Sequence, residues 1–135
     1  MGRYVIAPDA ALQLARDETV VGDEHRLLAP SIVRSQVNSL LLQAARRGEL
    51  TRRDARALFD RVLAMRMRLL GDRVLQATAW DVAEELGWPD TLDAEYVALT
   101  RLHADALVTE DERLVKAVRG AVEVAPYSVL TAQPS

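Results

Sequence analysis

Residues Asp90–Leu114 read DTLDAEYVALTRLHADALVTEDERL, and the fold is decided on this stretch. The pattern predicts a helix with Ala94, Val97 and Ala98 on one face, then a tight loop, then a short buried strand at Ala106–Thr109. Asp93 falls in the first turn of that helix, and Asp111 follows the strand directly. In sheets built of parallel strands, ligands and metals gather at the carboxyl ends of the strands. An Asp there, with a second Asp one element earlier, is how a carboxylate-lined site is assembled from distant sequence.

The rest of the chain extends this reading in both directions. Arg3–Ala7 (RYVIA) is a β-branched and aromatic run that predicts a first strand, stopped by Pro8. Asp9 is placed to cap a helix running to about Arg16. Leu27–Ala29 is ambiguous, and Pro30 suits the first turn of a helix whose apolar face is Val33, Val37, Leu40, Leu41 and Ala44. Gly48 ends it, and Thr51 with Asp54 resembles a capping box for the next helix, with Ala55, Leu58, Phe59, Val62 and Leu63 as its stripe. Met67–Leu70 reads as a short strand. Val74–Leu86 reads as a helix stopped by Gly87, with Leu75, Ala79, Val82 and Leu86 inward, and Asp90 is a good cap for the next one. A short helix over Asp111–Val118 and a strand at Val122–Val124 follow. Strands alternating with helices predict an α/β three-layer sandwich with a central, mostly parallel sheet. One domain is expected over residues 1–127, with a C-terminal tail at 128–135.

Composition narrows the function classes. The chain has 135 residues, half of them apolar, which suffices for one real core. It has no Cys, so disulfides and thiolate metal sites are excluded. No apolar run is long enough for a membrane span, and the N-terminal run is too short for a secretory signal. A soluble, cytoplasmic protein is therefore expected. The net charge of −3 gives no general electrostatic case for nucleic acid. The charge is uneven, however: Arg dominates from Arg46 to Arg73, and acids alone carry charge from Asp81 to Glu95. A solvated helix face explains the Arg-rich segment better than phosphate binding does.

The candidate chemistry rests on carboxylates. Mg²⁺ and Mn²⁺ take oxygen ligands and need only one or two carboxylates besides water and substrate. Such an ion can orient a water and offset charge on a phosphodiester. Each acid also has a plain structural reading, since Asp9 and Asp111 can be helix caps and Asp93 can be a first-turn acid favoured by the helix dipole. Their predicted meeting at one end of one sheet favours the functional reading. His25 and His103 lack partners at zinc spacing. Ser31, Ser35 and Ser39 have no nucleophile elbow, and no glycine-rich phosphate loop is present. Trp80, Trp88 and Tyr96 read as core.

Beside this reading stands a resemblance. DAEYVALTRLHADALVTEDERL resembles the Asp-Ala-x-Tyr-Val-Ala-Leu helix and Leu-Val-Thr-x-Asp strand end of PIN domains, the nuclease fold of VapC-type toxins. LLAPSIVRSQVNSLL is similar to the family's second helix, and RRGELTRRDA to the break that follows it. The resemblance implies a Mg²⁺- or Mn²⁺-dependent endoribonuclease, often a homodimer, restrained by a cognate antitoxin protein. It implies a site of Asp9, Gln36, Asp93 and Asp111, with Asp9, Asp93 and Asp111 as the metal ligands. Two positions depart from the family pattern. The family's first Asp follows the apolar run directly, whereas Pro8 intervenes before Asp9, and the family's second acid, a Glu, is replaced by Gln36. Glu95, Glu110 and Glu112 are nearby acids.

Three functions follow. The first is metal-dependent RNA cleavage. The second is a PIN-like domain that has lost cleavage and acts as a binding or scaffold module. The third, an unrelated acidic-pocket domain of the response-regulator kind, requires a late Lys at a strand end, but Lys116, the only Lys, lies on a predicted helix.

Overall fold

The computed structural model describes residues 2–131. Five strands form one parallel sheet: β1 (Gly2–Ile6), β2 (His25–Pro30), β3 (Arg68–Leu70), β4 (Ala106–Val108) and β5 (Val124–Ala125), in the order β3-β2-β1-β4-β5. The helices are α1 (Pro8–Asp17), α2 (Val33–Arg46), α3 (Arg52–Leu63), α4 (Arg73–Leu86), α5 (Leu92–His103), α6 (Glu112–Val118) and the short α7 (Ser128–Thr131). The three-layer α/β expectation is met, with every strand pair parallel.

Strand alternation divides the core into two. Val5, Leu28 and Leu107 face α4, α5 and α6, where Leu75, Val97, Leu99 and Leu114 are buried. Ile6, Leu27 and Val108 face α1, α2 and α3, where Leu14, Val33, Val37 and Val62 are buried. A parallel sheet covered on both faces needs such near-continuous apolar strands. β1 is the middle strand: the chain proceeds from it to β2 and β3 on one side, then crosses to β4 and β5 on the other. The crevice at the carboxyl ends of β1 and β4 is therefore the switch point, the usual place for a ligand in this architecture.

Several boundaries differ from the sequence reading. Pro30 ends β2, paired with Leu70, and does not open a helix. α2 instead begins at Val33 after Ile32. Asp9 is not the cap of α1. Ala7 holds that position with no side-chain bond, and Pro8 supplies the first turn. Asp90 lies one residue ahead of the Thr91 cap and accepts from the Leu92 N–H at 3.1 Å. Trp80 is 63% exposed, its indole Nε1 donating to Glu84 at 2.7 Å, so it belongs to the surface. Thr51 caps α3 through the Asp54 N–H, and Gly87 ends α4 at φ 70°, both as the sequence predicts. Residues 128–131 of the expected tail form a helical turn with Leu130 buried, and 132–135 lie outside the described residues.

Candidate functional site

The carboxyl edge is built by two neighbouring strands. β1 pairs with β4 through Ile6 opposite Val108, and the Ala7 N–H donates to the Val108 carbonyl at 3.1 Å. The segments leaving the two strands, Ala7–Asp9 and Thr109–Asp111, therefore run side by side. Asp9 meets the second of them. Its Oδ1 accepts from Thr109 Oγ1 at 2.8 Å, and its Oδ2 accepts from the Glu110 N–H at 2.9 Å. The Thr109 hydroxyl in turn accepts from the Asp111 N–H at 3.1 Å. Asp111 caps α6, its Oδ1 accepting from the Arg113 N–H at 3.0 Å.

Asp93 starts α5 and meets a different partner. The Arg113 guanidinium grips its carboxylate, with Nη1 to Oδ2 at 2.8 Å and Nη2 to Oδ1 at 3.4 Å. This is a fork-on-carboxylate pair, the stronger kind of charged hydrogen bond. Arg113 is held above its ordinary pKa first by the Asp93 hydrogen bond and charge, with smaller help from Asp111 and Asp90. Gln36, on α2, is bound by the buried Tyr96, whose hydroxyl donates to Gln36 Oε1 at 2.6 Å. The Tyr96 phenol is raised far above its ordinary range, mainly by burial, then by Glu95, Asp93 and Asp9. Asp9 and Asp93 thus both act on the same phenol.

Asp9 and Asp111 are accordingly brought together through Thr109, and Asp93 is joined to the pair through Arg113. Gln36 is reached only through Tyr96. An open cleft of about 560 Å³ beside the edge is lined by Asp9 and Asp111, with Arg16, Arg47, Leu40, Leu50 and Tyr127. Asp93 and Gln36 do not line it. Tyr127 is fixed there by its N–H donating to Glu110 Oε2 at 3.2 Å and by its hydroxyl to Asp17 at 3.2 Å. Glu95 is buried on the other side of α5, 4% exposed, with Gln76 Nε2 at 3.4 Å. Burial raises its carboxyl, and the Gln76 contact pulls it partly back.

Solved structures share this architecture, among them the following three. PAE2754 from Pyrobaculum aerophilum matches with a TM-score of 0.73 at 23% identity, over 98% of this chain and 97% of that one. VapBC2 from Rickettsia felis, bound to a DNA fragment from its promoter, matches with a TM-score of 0.58 at 11% identity, over 92% and 98%. VapBC-1 from nontypeable Haemophilus influenzae matches with a TM-score of 0.56 at 13% identity, over 93% and 98%. This chain has the PIN-like fold of VapC proteins. Neither a protein-family model nor a curated protein sequence matches it.

A divalent ion in a PIN-like fold would need the hard oxygen donors at this edge to converge. Their chemistry suits Mg²⁺ or Mn²⁺; their placement does not. The residue directly after β1, where the family pattern expects its first acid, is Ala7, fully buried in one cluster with Ala94 and Tyr96. That position faces α5, the helix that carries Asp93. Asp9, two residues on, has both oxygens taken up by Thr109 and Glu110. Asp93 is occupied by Arg113. Among the described residues, no three His, Cys, Asp or Glu side chains are grouped so as to hold one metal ion.

Sequence reasoning missed Thr109, Tyr96 and Arg113 as partners at the edge. The sequence places Thr109 at a strand end and Tyr96 in the core, both within the family-like motifs, but gives neither a partner at the edge. The available signal for Arg113 was its place two residues after Asp111, on the helix that starts at the same sheet edge.

Proposed function

We propose that this chain is a PIN-like domain of the toxin–antitoxin kind that works by binding a protein partner and does not cleave RNA with a bound metal. One observation carries this reading: the edge is closed by contacts within the chain, with Arg113 on Asp93 where a metal-loaded centre needs that carboxylate free. Ala7 and Gln36 support it, because two of the family's four acid positions offer no charge, and metal affinity follows ligand charge and number. The VapBC structures that share the fold support an antitoxin-type protein as partner. The cleft beside Asp9 presents apolar Leu40 and Leu50 with charged groups around them, the surface a peptide segment needs.

A second reading has an observation in its favour. Asp9 and Asp111 are linked through Thr109 at the switch point of the sheet, with Asp93 one side chain away. In that reading Asp9, Asp93 and Asp111 hold Mg²⁺ or Mn²⁺, Gln36 completes the shell, and a homodimer cleaves RNA. Incubating a mixed RNA pool with Mn²⁺ and either the natural chain or Asp93→Asn separates the two. No cleavage by either protein agrees with the binding module. Cleavage that Asp93→Asn abolishes establishes the nuclease and overturns the first reading.

A further inference from the structure

Away from the acidic edge, the amino ends of the strands carry an arrangement that the fold itself does not call for. Arg3, Arg26 and Arg68 lie on β1, β2 and β3, three neighbours in the sheet. Each comes two residues before an apolar residue of one face: Val5, Leu28 and Leu70. Strand alternation puts all three arginines on that same face. Arg3 pairs in register with Arg26, and Arg68 pairs with Leu28, two residues further along β2. Strand spacing and rise set Arg3 about 5 Å from Arg26, and Arg26 about 8 Å from Arg68, at Cα. Like charges directly opposite one another destabilise a sheet. All three residues are exposed, and among the described residues none is in an ion pair. The acids at this end are engaged elsewhere. Asp105 accepts from the Arg3 backbone N–H at 2.8 Å, and Asp23 and Glu24 lie against Arg66 and His25.

We propose that Arg3, Arg26 and Arg68 form a docking patch for the phosphate backbone of a single-stranded nucleic acid, separate from the acidic edge. The patch depends on neither reading of that edge. A guanidinium fork matches a phosphate through two parallel hydrogen bonds. Three cations spread over an open surface suit a chain of regularly spaced anions better than one small ligand, which needs enclosure. Exposure also argues against an acidic protein segment, because exposed ion pairs between flexible side chains contribute only about 0–1 kcal/mol. A nucleic acid instead gains affinity by releasing condensed counterions, which needs no burial. With a net charge of −3, the whole chain supplies no general attraction, so the affinity belongs to the patch. The arginines of α3 differ. Arg52, Arg53 and Arg56 share their exposed face with Asp60, four residues after Arg56, as on a solvated helix.

The test is fluorescence anisotropy of a short dye-labelled single-stranded DNA, titrated with the full chain at several salt concentrations. DNA keeps any RNA cleavage out of the readout. Log affinity against log salt should fall with a slope of about −2, from about −0.7 for each of three phosphates neutralised. Arg26→Gln should flatten that slope by about 0.7. Arg3→Gln/Arg26→Gln/Arg68→Gln should abolish binding and melt no lower than the natural chain, because it relieves a like-charge pair. Arg52→Gln/Arg53→Gln/Arg56→Gln removes the same charge from α3 and should keep the natural slope, as should Asp93→Asn at the acidic edge. The proposal is overturned by a natural chain that does not bind at low salt, or by equal losses in the two triple variants. It is overturned as well by a polyglutamate peptide that binds through the three arginines as tightly as the DNA does.

Discussion

Replacing Thr109 with valine tests the edge at the hydroxyl on which it turns. Thr109 is 2% exposed, and its Oγ1 makes two bonds, donating to Asp9 at 2.8 Å and accepting from the Asp111 N–H at 3.1 Å. A hydrogen bond to a charged group contributes about 1.5–3 kcal/mol and a neutral one about 0.5–1.5 kcal/mol. Valine has nearly the same shape and adds an apolar group, which returns about 0.8 kcal/mol. Asp9 lines an open cleft, so water recovers part of its lost bond. The net cost should be about 1–3 kcal/mol, or about 4–12 °C in Tm for a domain of this size. Urea unfolding followed by far-ultraviolet circular dichroism measures it. The cause is isolated by a double-mutant cycle with Asp9→Ala, which should show a coupling of about 1 kcal/mol. A Thr109→Val chain as stable as the natural one, or two additive substitutions, would refute the claim that Asp9 is held by this hydroxyl.

Two further outcomes follow from the same geometry. Because burial raises the Glu95 carboxyl above its ordinary value of 4.5, the folded chain holds that proton more tightly than the unfolded chain does. The resulting penalty is absent below that value and grows as pH rises through the raised one. Glu95→Gln should therefore be more stable than the natural chain at pH 7–8, with the advantage shrinking as the pH falls towards 4.5; an advantage independent of pH contradicts this. Ala7→Asp with Gln36→Glu places two acids beside Tyr96, which shares a buried cluster with Ala7 and donates to Gln36. This double variant should be less stable than the natural chain without metal, because a charge is buried at a fully enclosed position. Mn²⁺ should restore stability, and a melting point that Mn²⁺ leaves unchanged would count against Ala7 as the lost ligand position.

What the sequence made legible has a physical pattern. The α5–β4–α6 segment could be read because its signals are local: helical spacing of Ala94, Val97 and Ala98, then three buried residues in a row. Gly87 and Thr51 were legible for the same reason, since a left-handed end and a side-chain cap depend on adjacent residues. Pro30 was misread because a proline stops a strand as well as it starts a helix, and only pairing with Leu70 distinguishes the two. Trp80 was misread because its helix has a buried face of Leu75, Ala79 and Val82 that excludes it. At the site, sequence placed Asp9, Asp93 and Asp111 near one sheet edge, because parallel strands put their carboxyl ends together. Which partner each acid takes depends on side-chain reach across the edge. The Thr109 bond to Asp9 spans 100 positions, and no periodicity encodes it.

Calorimetric titration of the natural chain with Mn²⁺, alongside Asp93→Asn, tests the closed edge most directly. The account predicts no binding heat in either protein, since Arg113 already holds Asp93 and the other acids do not converge. Heat from the natural chain that disappears in Asp93→Asn would show a working metal centre and contradict it.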